Sequence, residues 1–218
     1  MAKRLKSGHI LRIPLWHGWG FAYAKYINIS GINGNDTYGD LLKIFDYRSQ
    51  VDELLNLNKL GNYLTQPILL AGRLAVMRQQ VWHIVGEKPL LAEDNDLPDM
   101  RVPEHIISNR MIIPQQPRPG ASLYTKNLIL RPQFETATPN VAHLEFLGAR
   151  SSGLIEISTT MAFMQQEGAI ISDYFDFSDP RDLHEYELIK NRPLANTVPK
   201  SLYGHARQHG DPGYVELI

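Results

Sequence analysis

Histidines and carboxylates are the residues of this 218-residue chain that are most able to do chemistry. His205 and His209 stand four residues apart, a spacing that would place both imidazoles on one face of a helix, as a metal site requires. A stable helix is not expected there, because the pair is surrounded by Gly204, Gly210, Pro212 and Gly213. The HExxH pattern of metalloproteases is absent as well, since His184-Glu185 has no second histidine after it. We therefore expect no metal and interpret both histidines as exposed tail residues.

Acidic residues cluster in the second half of the chain. Arg181 is the only cation within a segment that holds Asp173, Asp176, Asp179, Asp182, Glu185 and Glu187. The spacing matches no EF-hand loop, because the central glycine is missing and Pro180 interrupts the run. A solvated loop is one interpretation. The functional interpretation that we favour is a negative patch that meets a basic partner, because complementary charge speeds association and rejects wrong partners. A second acidic loop would extend the patch with Glu93, Asp94, Asp96 and Asp99.

Aromatic residues are dense near the N-terminus, where they alternate along a predicted strand: Trp16, Trp19, Phe21, Tyr23 and Tyr26. Such a pattern is typical of core and rim positions, and Trp82 is predicted to lie in the core for the same reason. Trp16 and Trp19 could instead anchor a protein partner, because tryptophan is enriched among the residues that dominate binding energy. Stacking on bases or sugars is the weaker alternative, because no cations cluster beside these residues.

Composition and motifs exclude several classes of function. The chain has 22 Lys and Arg against 23 Asp and Glu, so a general binder of nucleic-acid backbone is not expected. There is no cysteine, which excludes disulfides, thiolate metal sites and a cysteine nucleophile. Gly18-Trp19-Gly20 lacks the third glycine of a dinucleotide fingerprint. The serines of the GARSSG run are not spaced as in a nucleophile elbow, so Ser151 or Ser152 is better interpreted as a helix N-cap.

A hydrolase remains the main alternative to a binding protein. Its site would form around carboxylates and histidines of the second half, with His143, Glu145, Asp173 and His184 as the first candidates. A module that binds a small ligand, a sugar or a nucleic acid is a third possibility. An aromatic-lined groove would support it.

The elements that would position these residues form a β-rich α+β fold, with a twisted antiparallel sheet or a partly open barrel and a few helices. Strands are predicted over 8–16, 19–29, 39–47, 67–76, 80–85, 102–113, 122–134, 141–147 and 169–177, with an Asn-Gly turn in 30–36. Helices are predicted over 51–60 and 152–167, the second of them ended by Gly168. An extended tail follows from Asn191.

A proline-rich connection divides the chain on sequence grounds. PQQPRPG, at 114–120, has three prolines and a glycine in seven residues. We expect a β-rich region over 1–113 and an α+β region over 121–218, which together form either two subdomains or a single domain.

Two segments of the first half carry a family resemblance. KSGHILRIPLWHGWGFAYAKYI, at 6–27, combines an apolar strand, a short glycine-containing turn and an aromatic strand, and QVWHIVGEKPL, at 80–90, is a tryptophan strand running into Val-Gly and Pro-Leu. Together they resemble the Imm26 family of bacterial immunity proteins, which are encoded beside polymorphic toxins. The resemblance covers about the first 100 residues and implies a cytoplasmic protein that occludes a toxin domain, without a catalytic motif to transfer.

The sequence thus predicts a non-catalytic immunity protein whose partner is a cognate toxin domain. No cofactor and no nucleic-acid partner are expected. No membrane partner is expected either, because no apolar run approaches the roughly 20 residues of a membrane span. A signal peptide is not expected either, since Arg12, Pro14, Trp16 and His17 interrupt the segment after the basic N-terminus. The predicted binding residues are Trp16, Trp19, Glu93, Asp94, Asp96, Asp99, Asp173, Asp176, Asp179 and Asp182.

Overall fold

The centre of the fold is a five-stranded antiparallel sheet. The computed structural model describes residues 5–32, 38–51, 55–72, 81–103, 105–108, 111–114 and 116–217. The strands of the sheet are β1 (His9–Pro14), β2 (Phe21–Asn28), β3 (Asp40–Ser49), β4 (Ile68–Leu69) and β5 (His83–Glu87), in the spatial order β4-β3-β2-β1-β5. The sheet ends at β4 and β5, which do not pair, so it is open and not a barrel. The predicted α+β class and antiparallel sheet are confirmed.

A smaller antiparallel sheet and a hairpin follow the large sheet in the chain. β6 (Met100–Arg101), β9 (Ala121–Thr125) and β10 (Phe134–Ala137) are arranged in the order β10-β9-β6, while β7 (His105–Ser108) pairs with β8 (Met111–Pro114). β6 precedes the predicted 114–120 connection and β9 follows it, and the two strands pair through Met100 and Thr125. An isolated bridge also joins Leu70, at the end of β4, to Arg150.

Helix α1 (Ser152–Glu167) covers one face of the large sheet. Ser151 caps its first turn by accepting a hydrogen bond from the Leu154 N–H, and Gly168 ends it in the left-handed conformation at φ 73°. Both ends agree with the sequence prediction, because the cap and the stop are local signals. Alternate residues of β2, such as Ala22 and Ala24, point to the same face as Ile155 and Phe163 of α1 and share one core with them.

A second helix, α2 (Pro180–Ile189), was not predicted. Asp179 is its N-cap and accepts a hydrogen bond from the Arg181 N–H at 2.8 Å, while Pro180 occupies the first turn. Proline needs no hydrogen-bond acceptor at this position, so Pro180 begins the helix instead of interrupting a loop. α2 packs against α1, where Ile189 joins Met161 and Met164.

Several predicted elements are wrong. The segment 169–177 is not a strand but a 3-10 turn, Ile171–Asp173, which packs Phe175 beneath α1. The segment 141–147 is also not a strand, and only Phe146 forms a bridge, to Arg101. The predicted 51–60 helix is reduced, in its described part, to the 3-10 turn Leu57–Lys59. The Asn33-Gly34 step of the predicted turn lies outside the described residues.

The tail after Asn191, predicted to be extended, is irregular and includes two 3-10 turns, Ala195–Thr197 and Lys200–Leu202. It returns to the large sheet, where the Ala195 N–H donates to the Leu64 carbonyl at 2.9 Å. Within the described part of the chain, no helix has the length and apolar character needed to cross a bilayer.

Candidate functional site

The turn between β1 and β2 carries the two predicted anchors, Trp16 and Trp19, both half-buried. Trp16 is fixed on helix α1, because its backbone N–H donates to the Thr160 hydroxyl at 3.0 Å and its indole N–H donates to the Glu156 carboxylate at 3.3 Å. His17, exposed at the tip of this turn, has a left-handed φ of 55°. The turn therefore holds its aromatic side chains in fixed positions beside the helix.

The structure brings this turn into contact with the acidic segment that follows α1. Trp19 meets the ring of Tyr174 edge-on at a centroid distance of 5.9 Å, and His17 meets Phe175 in the same way at 4.6 Å. The Arg181 guanidinium lies over the Trp16 ring at 5.2 Å. Residues 155 positions apart in the chain thus form one surface, which we call the Trp–acid surface and define as Trp16, His17, Trp19, Asp173, Tyr174, Asp176 and Asp179.

The carboxylates of the acidic segment differ in their availability. Asp173 and Asp176 are exposed, and Asp179 is half-buried at the start of α2. The hydrogen bonds that Ser178 donates hold the pKa of Asp176 below its usual value, so this group stays charged at neutral pH. Asp182 is buried and accepts from the Arg181 guanidinium at 3.1 Å. Asp173 and Asp176 therefore give the Trp–acid surface its accessible negative charge.

The other predicted acidic loop lies across the opposite face of the large sheet. Lys25 and Lys43 are on adjacent strands and point away from the α1 face, and both donate to the carboxylate of Asp94, the Lys43 bond measuring 2.8 Å. Asp94 is only 1% exposed, and these bonds outweigh burial, which by itself raises its pKa, so the net pKa lies below the usual value. The two acidic clusters are thus separated by the sheet.

The remaining members of that loop divide between buried and exposed positions. Asp99 is buried and accepts hydrogen bonds from the backbone N–H groups of Asn127 at 3.0 Å and Ala206 at 2.9 Å. Glu93 and Asp96 are exposed and line a cavity of about 380 Å³. Asp94 and Asp99 therefore organise the fold, while Glu93 and Asp96 are accessible from solvent.

The four candidates for hydrolase chemistry lie in different environments. His143 is buried and its Nε2 is 2.8 Å from the His205 carbonyl, while Glu145 is buried beside Arg150 and Arg192. Asp173 and His184 are exposed. Burial lowers the pKa of His143, and it raises the pKa of Glu145 less than the two arginines lower it. Among the described residues no hydrogen bond or ion pair joins any two of the four.

The histidines considered for a metal also lie in separate environments. His205 contributes its carbonyl to the His143 contact, and the ring of His209 meets Tyr214 at 5.7 Å. In the ranges that the structure describes, no three His, Asp or Glu side chains are grouped as metal ligands.

Sequence reasoning missed several residues that build the Trp–acid surface. Tyr174 is 42% exposed and forms its outer part, although it was assigned to a strand. Arg48 lies over the Trp19 ring at 4.8 Å and donates to both carboxylate oxygens of Glu167, at 2.8 and 2.9 Å. Arg48 is 119 residues from Glu167, so no local pattern pairs them. The Asp179-Pro180 step was the one available signal for the helix that positions Arg181.

The structure described so far is an α+β fold whose Trp–acid surface combines exposed carboxylates with aromatic side chains, a residue type that is enriched at protein interfaces. Residues 6–111 match the family model Imm26, described as immunity protein 26. The predicted resemblance of the first half is therefore confirmed. The matched segment includes the complete five-stranded sheet and the Trp16–Trp19 turn, whereas α1, α2 and the tail lie beyond it. No curated protein and no solved structure matches the chain.

Proposed function

We propose that this protein is a non-catalytic immunity protein that binds and neutralises a cognate bacterial toxin domain in the cytoplasm of the producing cell. The match of residues 6–111 to immunity protein 26 is the observation that carries this proposal. A neutralising protein needs a stable scaffold and a binding surface, and it needs no catalytic group of its own. The toxin belongs, on this proposal, to a polymorphic toxin system.

The Trp–acid surface is one toxin-binding surface that we propose. Trp16, Trp19 and Tyr174 belong to residue types that dominate the energy of protein interfaces, particularly where other side chains hold them rigidly. Trp16 and Trp19 are held in this way by Glu156, Arg181 and Arg48. Binding would therefore require less ordering of these two side chains, which favours affinity.

Asp173 and Asp176 would supply the charge that selects a basic toxin surface. Both are exposed, and the Asp176 carboxylate stays ionised at neutral pH. Charges at the rim of an interface act mainly on the association rate and on its salt dependence. Asp179 would add to the same negative charge. Buried Asp182 would contribute by holding the guanidinium of Arg181 in place.

The first experiment is capture of the tagged protein, expressed at low level in its own organism, with mass spectrometry of co-eluting proteins and an untagged lysate as control. The expected result is one stoichiometric partner that is toxic when expressed alone and harmless when co-expressed with this protein. A captured partner whose toxicity is unaffected by co-expression would contradict the proposed function.

The binding surface is tested with the purified pair. Asp173→Lys with Asp176→Lys should lower the association rate about tenfold or more at low salt, with a smaller effect at high salt. The matched control is Glu87→Lys with Glu216→Lys, two exposed carboxylates outside the Trp–acid surface. An equal drop in association rate in both double variants, or no drop in the first, would contradict the assignment of this surface.

A further inference from the structure

A cavity of about 380 Å³ lies on the side of the large sheet opposite to α1. Its walls come from three parts of the chain: Lys43 and Tyr63 from the sheet region, Glu93 and Asp96 from the acidic loop, and Lys200 and Tyr203 from the tail. The first four residues belong to the segment that matches the immunity family, and the last two do not. The tail therefore completes a cavity that the family-like region alone leaves open.

The tail wall is held in place on both sides of the cavity. The Ala195 N–H donates to the Leu64 carbonyl at 2.9 Å, and the Gly204 N–H donates to the buried amide oxygen of Gln66 at 2.7 Å. Two residues later, the Ala206 N–H donates to Asp99 at 2.9 Å. A cavity with walls fixed in this way is present before a ligand arrives, which lowers the cost of binding.

The charged groups of the cavity are not equally available. Lys43 is already occupied, because its ammonium donates to Asp94 at 2.8 Å and to the Glu93 carbonyl at 3.1 Å and lies 5.9 and 5.8 Å from the Tyr63 and Tyr203 rings. The side-chain carboxylates of Glu93 and Asp96 have no hydrogen bond or ion pair among the described residues. Lys200, on the tail, is the one cationic lining residue without such a partner in that part of the chain. Available carboxylates thus outnumber available ammonium groups.

An aromatic wall stands beside these carboxylates. The Tyr63 and Tyr203 rings are stacked, with centroids 4.6 Å apart and an interplanar angle of 16°. Burial raises the pKa of both hydroxyls, and the negative charges of Asp94 and Glu93 raise it further. The Tyr203 hydroxyl is buried and has no hydrogen-bond partner among the described residues. What this wall offers a ligand is the face of its rings, on which a planar cation can stack.

We propose that this cavity binds the guanidinium group of an arginine side chain presented by the partner protein. The group is planar and cationic, so it can stack on tyrosine while it donates to the Glu93 and Asp96 carboxylates. The volume suits one long side chain, since it lies at the lower end of the range for ligand pockets. The proposed function is needed here only to identify the partner as the toxin.

The test uses the isolated protein and Nα-acetyl-arginine methylamide as the probe, with the neutral citrulline analogue as its isosteric control. Titration is followed by NMR chemical shifts of residues that line the cavity. The arginine probe should bind at least tenfold more tightly than the citrulline probe, and its affinity should fall as salt is raised. Saturable binding of both probes with equal affinity, or of neither, would overturn the proposal.

Two double variants with the same loss of charge locate the site. Glu93→Gln with Asp96→Asn should weaken binding of the arginine probe about tenfold. Asp173→Asn with Asp176→Asn, on the other side of the sheet, should leave it unchanged. Equal effects of the two variants would show a general charge effect and would contradict a site in the cavity.

The outcome is separable from that of the proposed function, because probe binding needs no toxin. A protein that binds the arginine probe but neutralises no toxin would keep the cavity site and lose the proposed partner. If a toxin is captured and the Glu93/Asp96 variant binds it as tightly as the unchanged protein does, the cavity is not part of the interface and the arginine is not the toxin's.

Discussion

The indole N–H of Trp82 donates a hydrogen bond of 2.8 Å to Oε1 of Glu156, which joins the family-like sheet to helix α1. Trp82 is only 1% exposed and Glu156 only 9%. The other oxygen of the same carboxylate accepts from the Trp16 indole at 3.3 Å. One buried side chain of α1 thus satisfies two tryptophans of the sheet region, one in the core and one at the Trp–acid surface.

Replacing Glu156 with Leu should lower the free energy of unfolding by about 2–3 kcal/mol, because two indole N–H groups lose their acceptor. Glu156→Gln should cost less, about 1 kcal/mol, because its amide keeps one oxygen that can accept. Urea denaturation followed by circular dichroism measures both values. A Leu variant within about 0.5 kcal/mol of the unchanged protein, the usual range for a surface substitution, would contradict this account.

Asp94 compensates two buried ammonium groups, so Asp94→Asn should destabilise the fold by about 3–5 kcal/mol. Because the pKa of Asp94 in the folded state is below its unfolded value, the stabilisation that its carboxylate provides is fully present above the unfolded pKa. It is lost as the pH falls through the folded pKa. The free energy of unfolding, measured from pH 7 down to pH 2, should therefore fall less steeply in the variant. Asp96→Asn is the matched control in the same loop and should change neither stability nor slope.

His143 should give the free energy of unfolding a second pH dependence, at milder acidity. Burial lowers the pKa of His143 in the folded state below the usual 6.5, so the unfolded chain takes up a proton first. Stability should therefore decrease as the pH falls below about 6.5, until the folded-state pKa is reached. His143→Gln should flatten the curve of unfolding free energy between pH 7 and pH 5. The same slope in His143→Gln and in the exposed control His184→Gln would argue against this role.

Gly20 is required at the end of the turn that carries Trp16 and Trp19. Its φ is +85°, and an added Cβ would lie 2.0 Å from the Ser49 carbonyl oxygen, which is backbone of the adjacent strand β3. Gly20→Ala should therefore destabilise the protein by more than about 2 kcal/mol, because backbone must move.

Gly18, in the same turn, supplies the control for that substitution. Its φ is +75°, but an added Cβ meets nothing within 4 Å. Gly18→Ala should cost only the strain of a left-handed alanine, about 1–2 kcal/mol. Thermal denaturation should rank the two variants in this order, and the reverse order would refute the steric explanation.

The elements that the sequence predicted well are those with local signals. Ser151 and Gly168 mark the two ends of α1, and the alternating aromatic residues mark β2, because capping and burial periodicity act over a few residues. Helix α2 was missed although its signal is equally local, since Asp179-Pro180 was interpreted as an interruption. The strand predicted over 169–177 is instead a 3-10 turn, and its Ile171 and Phe175 pack beneath α1.

The candidate site depends on contacts that no local pattern contains. Lys25 meets Asp94 across 69 residues, and Trp82 meets Glu156 across 74. The sequence therefore could not separate the exposed acidic residues from those that neutralise buried lysines, and Asp94 was grouped with Glu93. The contact of Trp19 with Tyr174 likewise follows from the packing of Phe175 beneath α1.

The position of the tail wall has a consequence for synthesis of the protein. A ribosome delivers the chain from its N-terminus, so Lys43, Tyr63 and Glu93 leave the exit tunnel long before Lys200 and Tyr203 do. Until then the ring of Tyr203 cannot cover the ammonium group of Lys43, which lies 5.8 Å from it in the folded protein. The tail can close over the sheet only after Lys200 and Tyr203 have been synthesised, and contacts between residues so distant in the chain form slowly.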